Sequence, residues 1–328
     1  MNHSFHIYGY DITLEDSQGD IISKLVKDFS YFINNQTKKI LSNKTSIKII
    51  YNDKFKYSNK SKLTKIKLES RINFQYPNSI TNSVSKNFSE AIFTHNNFEG
   101  CYEQVYLFIL SITGKAFDLK GIHRIHALGI EKENESIILM ANSGTGKTTQ
   151  GLEVLKDSSI KLISDDTPLI DPNLNIYPFP VRIGHNNQNT LIPFLRDGKN
   201  LYSINRLLYG KKFLLDLNDS KICISTNIIS KNITLLELER NNSSPRIAKS
   251  LNRLYTFKKL FFHQVIGFGL PMIKEYFLED SIYNLIKIAI SRVKLSIKLS
   301  QRIKCHQLNL SESFENNSKL ILNVNTNF

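Results

Sequence analysis

The chain has 328 residues, 41% of them apolar and 22% charged, which is typical of a globular protein of two domains or of one large domain with an appendage. No apolar run reaches the roughly 18–20 residues that a membrane-spanning helix needs, and the first residues lack the basic-then-apolar layout of a secretory signal. The three cysteines, Cys101, Cys223 and Cys305, are too scattered for a disulfide framework or a CxxC metal site. We therefore expect a cytoplasmic protein with reduced thiols and no transmembrane segment.

The net charge of +14 is concentrated in two regions. Residues 36–68 hold ten lysines against Asp53 alone, and residues 246–304 hold twelve lysines and arginines against three acids. Such regions can bind nucleic acid, an acidic peptide or a membrane surface, but ordinary solvated faces are the favoured interpretation. No zinc-finger spacing or RNP-like motif accompanies the charge. Nucleic acid is therefore disfavoured as a partner without being excluded.

The first hundred residues alternate between apolar and polar stretches that indicate both strands and helices. The predicted elements are a strand with a turn over residues 5–14, a helix over residues 20–35 and a strand over Thr45–Tyr51. Residues 52–97 are polar, with short alternating pieces, which indicates either an irregular antiparallel subdomain or a partly mobile one.

The composition of the sequence changes near Gly100, after which the segments contain a higher proportion of apolar residues. We therefore divide the chain into an N-terminal α+β module, residues 1–100, and a second domain, residues 101–328. Its predicted elements are a helix over Tyr102–Thr113 ending at Gly114, a strand over Ser136–Ala141, a helix over Thr148–Asp157, a strand over Ile160–Asp166 and a strand over Ile233–Leu238.

An amphipathic helix is predicted over Ser281–Ser300, because apolar residues recur there at helical spacing opposite several lysines. We expect the apolar stripe to face the core of the domain. The stripe consists of Ile282, Leu285, Ile286, Ala289, Ile290, Val293 and Ile297.

The most informative segment nearly matches the phosphate-loop motif G-x-x-x-x-G-K-[ST], with Ala141 in place of the first glycine. A predicted strand precedes it and a predicted helix follows it, which is the context the motif requires. Glycines in such a turn let backbone N–H groups surround phosphate oxygens, and the helix adds its positive end. The predicted nucleotide-binding residues are Asn142, Ser143, Gly144, Thr145, Gly146, Lys147, Thr148 and Thr149.

Two of these residues have more specific expected roles towards ATP or GTP and Mg²⁺. Lys147 can contact the β- and γ-phosphates, and the Thr148 hydroxyl can ligate the metal ion. A phosphate loop also needs a carboxylate near the metal, and Asp165 and Asp166 end the next predicted strand. Two adjacent acids suggest that one holds Mg²⁺, directly or through water, while the other accepts the proton of an attacking hydroxyl. The alternative is a solvated acidic pair that begins a turn.

Together, the segments Gly144–Thr148 and Leu162–Asp166 resemble the kinase domain of HPr kinase/phosphorylase and its wider family of kinases. That family also carries a histidine on a strand before the loop, and His126 stands 21 residues ahead of Lys147, which matches the family spacing. The resemblance implies an α/β fold with a P-loop kinase core of the HPr kinase C-terminal domain or PEP carboxykinase-like type, preceded by a smaller α+β N-terminal module.

The resemblance also implies roles for individual residues. Asp165 corresponds to the catalytic base, Asp166 to the acid that serves the metal, and His126 to the residue that supports the base. A Pro-rich stretch, Tyr177–Gly184, looks like one found in uncharacterised branches of the family, and Arg182 within it can stabilise charge on the transferring phosphoryl group. Three residues near these motifs are weaker candidates: His123, Arg124 and His185.

The sequence also departs from HPr kinase itself. Thr148 and Thr149 stand where that enzyme usually has Ser and Glu, one extra residue separates Lys147 from the acid pair, and the Glu-x-Arg-Gly segment linked to phosphorylase activity is missing. The similarity is strong only over Tyr102–Arg182. We therefore expect a divergent relative with a different acceptor.

The expected function is Mg²⁺-dependent transfer of a γ-phosphoryl group to a Ser or Thr hydroxyl of a protein or peptide. Relatives in the family act on peptides of natural-product pathways, so a precursor peptide is one such acceptor. Two alternatives share the same loop: a nucleotide-switch ATPase or GTPase that binds nucleic acid or a protein, and a small-molecule kinase. The family tends to oligomerise, which implies a homo-oligomer as a further expectation.

Overall fold

The computed structural model describes residues 2–34, 37–54, 63–76, 79–142, 144–206, 210–230, 232–240, 245–266 and 282–324. Within these ranges the chain is a mixed α/β protein whose strands form four sheets. No helix in the described ranges combines the length and the apolar character needed to cross a membrane.

The first part of the chain forms a seven-stranded mixed sheet with three helices. Its elements are β1 (Asn2–Ile7), β2 (Tyr10–Asp16), α1 (Asp20–Asp28), α2 (Ser30–Asn34), β3 (Lys44–Tyr51), β4 (Thr64–Lys67), β5 (Arg71–Tyr76), β6 (Ile80–Ser85), β7 (Glu90–His95) and α3 (Phe98–Leu119). The strand order is β1-β2-β3-β7-β6-β5-β4, with β2, β3 and β7 parallel. The strands predicted before residue 52 are confirmed, whereas the single helix predicted over residues 20–35 is divided at Phe29 into α1 and α2. The described residues after residue 52 include an antiparallel run from β4 to β7.

The second part of the chain contributes the other three sheets and, within the described ranges, four α-helices. Its elements are β8 (His123–Arg124), β9 (Ala127–Lys132), β10 (Glu135–Ala141), α4 (Lys147–Val154), β11 (Lys161–Ser164), β12 (Leu169–Ile170), β13 (Asn175–Tyr177), β14 (Ile183–His185), β15 (Tyr202–Arg206), β16 (Gly210–Leu215), β17 (Ile229–Ser230), β18 (Ile233–Arg240), β19 (Arg246–Ser250), α5 (Arg253–Phe261), α6 (Ile282–Arg302), β20 (Cys305–Leu310) and α7 (Phe314–Leu322).

The six-stranded sheet, of order β11-β9-β10-β18-β20-β19, brings the predicted motifs to one edge. Its strand β9 is antiparallel to both of its neighbours, β10 and β11. The ends of β10 and β11 and the start of β9 therefore lie on the same side of the sheet. The other sheets, β17-β13-β12-β8 and β14-β16-β15, are entirely antiparallel.

The continuous apolar run of β10 reflects burial on both faces of this sheet. Ile137 and Leu139 pack in one hydrophobic cluster with Leu152 of α4. Ile138 and Met140 point to the opposite face, where the cluster includes Leu260 of α5 and residues of α6. The alternation has the period of two that a strand imposes, and it fixes where β10 delivers the chain to the following loop.

Helix α3 is longer than predicted and does not end at Gly114. A Cβ on Gly114 would lie 2.6 Å from Nη1 of Arg124, so the glycine leaves room for a guanidinium that donates to the Leu110 carbonyl at 2.9 Å. The N-terminal hydrophobic cluster includes α3 and extends well past the predicted division near Gly100, with members as far along the chain as Leu169 and Leu214. The division of the chain at residue 100 stays a prediction.

The predicted core stripe of α6 was wrong. Ile282, Ile286 and Ile290 are at least half exposed, whereas the buried positions include Arg292 and Leu295. The physical reason is that α6 packs on α5 and α3 along a neighbouring face, where an aspartate of α3 is available to pair with the buried arginine. Ser281, the first residue of the predicted helix, lies outside the described residues.

Candidate active site

A cavity of about 450 Å³ lies at the sheet edge where β10 and β11 end and β9 begins. This volume is in the range of small-molecule sites. The pairing of Met140 with Ala127 holds the start of β9 beside the end of β10. The cavity collects eight of the predicted site residues: His126, Asn142, Gly144, Gly146, Lys147, Thr148, Thr149 and Asp166. Ser143 lies outside the described residues.

The loop between β10 and α4 turns on two glycines. Gly144 and Gly146 have φ values of 82° and 97°, in the left-handed region that side chains disfavour. No described atom lies within 4 Å of the position that a Cβ would take on either residue, so conformation rather than crowding requires glycine there. Ala141, in contrast, is still paired with Leu238 in the sheet, which explains why the first glycine of the motif is dispensable here.

Helix α4 begins at Lys147 directly after the loop. Its N-cap is Gly146, which has no side chain to accept hydrogen bonds from the first turn. The backbone N–H groups of that turn and the positive end of the helix are therefore available to an anion in the cavity.

Lys147 and His126 converge on one carboxylate oxygen. The Lys147 ammonium donates to Oδ1 of Asp166 at 2.6 Å and to the backbone carbonyl of Asp165 at 3.3 Å. Nε2 of His126 lies 3.3 Å from the same Oδ1. The Asp166 side chain is 59% exposed, so this carboxylate remains open to the cavity while two nitrogens hold it.

Asp165 has a different environment although it is the neighbouring residue. It is buried, and no described residue makes a hydrogen bond to its Oδ1. A buried oxygen without a partner is costly, which makes this position ready to receive a proton donor or a cation. The Thr148 hydroxyl lies close enough to the Asp165 carboxyl to favour its ionised form.

The two aspartates are shifted in opposite directions. Burial raises the pKa of Asp165, the Asp166 charge adds to the rise, and Lys147 and Lys212 oppose it. For Asp166, partial burial opposes ionisation, but the Lys147 ammonium and His126 outweigh it and hold the pKa of the carboxyl below its ordinary value. Two carboxyls with separated pKa values can divide proton transfer and charge binding between them.

The histidine contact differs from the one that the resemblance implied. His126 was expected to support Asp165, but its contact is with Asp166. The reason is that the chain turns after β11, so that the side chain of Asp165 is buried and that of Asp166 faces the start of β9.

Arg182 is not brought to this cavity. Its guanidinium is buried against α1 and α3, where it donates to Asp28 at 3.3 Å, to Tyr102 at 2.5 Å and to Glu103 at 2.5 Å. The ring of Tyr106 lies 3.7 Å below the guanidinium carbon. The Pro-rich stretch gave no sign of this burial, and we do not assign the predicted charge-stabilising role to Arg182.

Two of the weaker candidates also point elsewhere, and the third lines the cavity. His123 is fully buried beside Asp118, and Arg124 packs on α3. His185 lies at the cavity wall, with its Nε2 3.1 Å from the Thr149 hydroxyl.

Three cavity residues were not predicted: Gly184, Asn186 and Lys212. Gly184 and Asn186 are the neighbours of His185 in the chain, so the only sequence signal for them is their position beside that weaker candidate. Lys212 lies in a lysine-containing strand far along the chain from the loop, and no local pattern marks it. It reaches the cavity because β16 pairs with β14.

The chain matches no model of a known protein family, and no curated protein is similar to it in sequence. The residues at the sheet edge therefore carry the functional argument alone.

Proposed function

We propose that the chain is a Mg²⁺-dependent P-loop kinase of the HPr-kinase-like type, which transfers the γ-phosphoryl group of ATP or GTP to a Ser or Thr hydroxyl of a protein or peptide. The observation that carries the proposal is the convergence of Lys147, Asp166 and His126 at one cavity, beside a glycine loop and a helix N-terminus, with the buried Asp165 next to Asp166. A phosphate loop alone is compatible with many functions, but a buried second carboxylate beside it favours phosphoryl transfer to a hydroxyl.

In this proposal the donor phosphates occupy the space above Gly144 and Gly146. The loop and first-turn N–H groups of α4 donate to phosphate oxygens. Lys147 moves its ammonium from Asp166 to the β- and γ-phosphates, which are stronger and more highly charged acceptors. Before the nucleotide arrives, the hydrogen bond to Asp166 holds the Lys147 ammonium in place.

The residues also fit a magnesium ion. No cluster of three or more histidine, cysteine or acidic side chains suited to a metal occurs in the described part of the chain. Mg²⁺ ordinarily takes one or two carboxylates together with substrate phosphates and water, so a small protein donor set is appropriate. The Thr148 hydroxyl and the ionised Asp166 carboxylate would hold it. When bound, the ion neutralises charge on the donor phosphates.

Asp165 accepts the proton in this mechanism. The acceptor oxygen bonds to the γ-phosphorus while the bond from that phosphorus to the β–γ bridging oxygen breaks. The hydroxyl proton moves to the Asp165 carboxylate, and the donor leaves as the nucleoside diphosphate. A raised pKa makes Asp165 a better proton acceptor than an ordinary carboxylate.

The test is transfer of radiolabelled γ-phosphate from ATP and from GTP to proteins of a cell lysate and to short proteins encoded beside the gene. We expect label on a polypeptide, and Asp165→Asn should slow transfer about 10²- to 10⁴-fold while nucleotide binding persists. Asp197→Asn is the matched control, because that side chain is fully exposed and does not line the cavity.

Other outcomes would contradict the proposal in distinguishable ways. Label found only as free phosphate favours the nucleotide switch, and label on a small metabolite favours the small-molecule kinase. Normal transfer by the Asp165→Asn variant would remove Asp165 as the base, whatever the acceptor.

A further inference from the structure

Lys212 is the second lysine on the wall of the cavity, and it arrives from a different sheet than Lys147. It lies in β16, the central strand of the sheet β14-β16-β15, and its side chain is half-buried. The two lysines therefore reach the same space from separate elements, one from the first turn of α4 and one from β16.

Gly184 of β14 makes room for this side chain. A Cβ on Gly184 would lie 2.8 Å from Nζ of Lys212 and closer still to its Cε. The backbone of Gly184 does not adopt a positive φ, so its conformation does not require glycine. The aliphatic part of the Lys212 side chain crosses β14 at Gly184, where there is no side chain in its way. This crossing directs the Lys212 ammonium to the cavity.

Lys212 lines the cavity together with Lys147, Asp166 and the two glycines of the loop. In the proposed function the acceptor hydroxyl and the γ-phosphoryl group meet in this space. Negative charge spreads over the three non-bridging oxygens of that group during transfer, and a fixed cation nearby stabilises it.

We infer that Lys212 is a catalytic lysine whose ammonium contacts the non-bridging oxygens of the γ-phosphoryl group during transfer. This inference rests on the proposed function, and it gives Lys212 the role that the sequence had suggested for Arg182. The pair of Lys212 and Gly184 works as a unit, since the small residue determines where the charged one points.

The test compares Lys212→Met with Lys212→Arg and with Lys211→Met. Lys211 is the matched control because it is the adjacent residue, is exposed, and has its ammonium over the Phe213 ring at 5.0 Å. We expect Lys212→Met to lower kcat about 100-fold with an acceptor KM within about threefold of the unmodified protein. The kcat of Lys212→Arg should be about tenfold higher than that of Lys212→Met. Lys211→Met should have the kcat and KM of the unmodified protein.

Nucleotide affinity gives a second readout, which does not depend on an identified acceptor. Lys212→Met should weaken binding of a non-hydrolysable ATP analogue about tenfold and change ADP binding less than about twofold, because ADP has no γ-phosphate. Gly184→Ala should produce the same selective loss by displacing the lysine. Thermal melting of each variant shows whether the fold is retained.

Each result decides the inference. Full-rate transfer by Lys212→Met would overturn it and leave the proposed kinase standing. Equal losses of ATP-analogue and ADP affinity would also overturn it, because the lysine would then act on binding in general. If the unmodified protein transfers no label but binds nucleotide, the affinity comparison still decides on Lys212. If it binds neither nucleotide, both proposals fail.

Discussion

Two histidines three residues apart, His123 and His126, each contact an aspartate, but the two pairs have very different surroundings. We call the first the buried cluster: Asp118, His123, Ser291 and Arg292. His123 donates or accepts through both ring nitrogens, to Asp118 at 2.8 Å and to Ser291 at 2.7 Å. Arg292 completes it with two hydrogen bonds to the same carboxylate, at 3.2 and 2.7 Å.

The open cluster consists of His126, Lys147, Asp165 and Asp166. It also combines a histidine, a basic side chain and acid, yet one of its carboxylates is 59% exposed and the other has an oxygen with no described partner. The buried cluster has its charged groups paired within the protein and joins α3 to α6. The comparison teaches that the same residue types can be paired in the protein interior or can leave a carboxylate open at a cavity, so residue types alone do not distinguish the two environments.

The largest expected effect comes from breaking the buried cluster. Asp118→Asn leaves the Arg292 charge buried without its carboxylate, so we expect the free energy of unfolding to fall by about 3–5 kcal/mol, measured by urea denaturation. Asp166→Asn is the matched change in the open cluster. Because its side chain is mostly exposed, its cost should stay within about 1 kcal/mol. Equal losses for the two variants would contradict the distinction between the clusters.

Substituting either histidine should have a smaller effect, on transfer rate for His126 and on stability for His123. His126→Asn should slow phosphoryl transfer about tenfold, because Asp166 loses one of the two nitrogens that hold it, while stability changes by less than about 0.5 kcal/mol. His123→Asn should instead lower the free energy of unfolding by about 2 kcal/mol and leave transfer per folded molecule unchanged. Initial rates normalised to the folded fraction separate the two. A rate loss confined to the His123 variant would reverse our assignment.

The parts of the site that the sequence predicted are those determined by short-range patterns. The strand before the loop, the glycines and the helix after it are neighbours in the chain. The continuous apolar run of β10 has the length and composition of a buried strand, so its structure can be predicted from local sequence. The acid pair was found because it ends the next strand in the same sheet. These elements needed only local periodicity and the known geometry of phosphate loops.

The parts that the sequence missed depend on contacts between distant segments. Arg182 and Lys212 are both basic residues near strands, and only the folded chain shows that one is buried with Asp28 and the other reaches the cavity. The face that α6 buries was missed for the same reason. Its isoleucines follow a helical stripe, but the aspartate that draws Arg292 inward lies on α3, more than 170 residues away.

The smallest effect that separates the clusters is a dependence of stability on pH. Burial alone would raise the pKa of Asp118, but Arg292 and His123 outweigh it and lower the pKa of that carboxyl below its ordinary value. An acid whose pKa is lowered on folding contributes stability above its unfolded pKa, and the contribution disappears as pH falls through the folded pKa.

The difference in unfolding free energy between the unmodified protein and Asp118→Asn should therefore shrink on acidification. We expect it to narrow by about 1 kcal/mol between pH 6 and pH 3, because only the unmodified protein has to protonate that carboxyl. The matched control is the same measurement on Asp197→Asn, whose side chain is fully exposed. A gap that stays constant or widens would mean that Asp118 is not held as the ionised partner of Arg292, and the buried cluster would then owe its stability to packing rather than to charge.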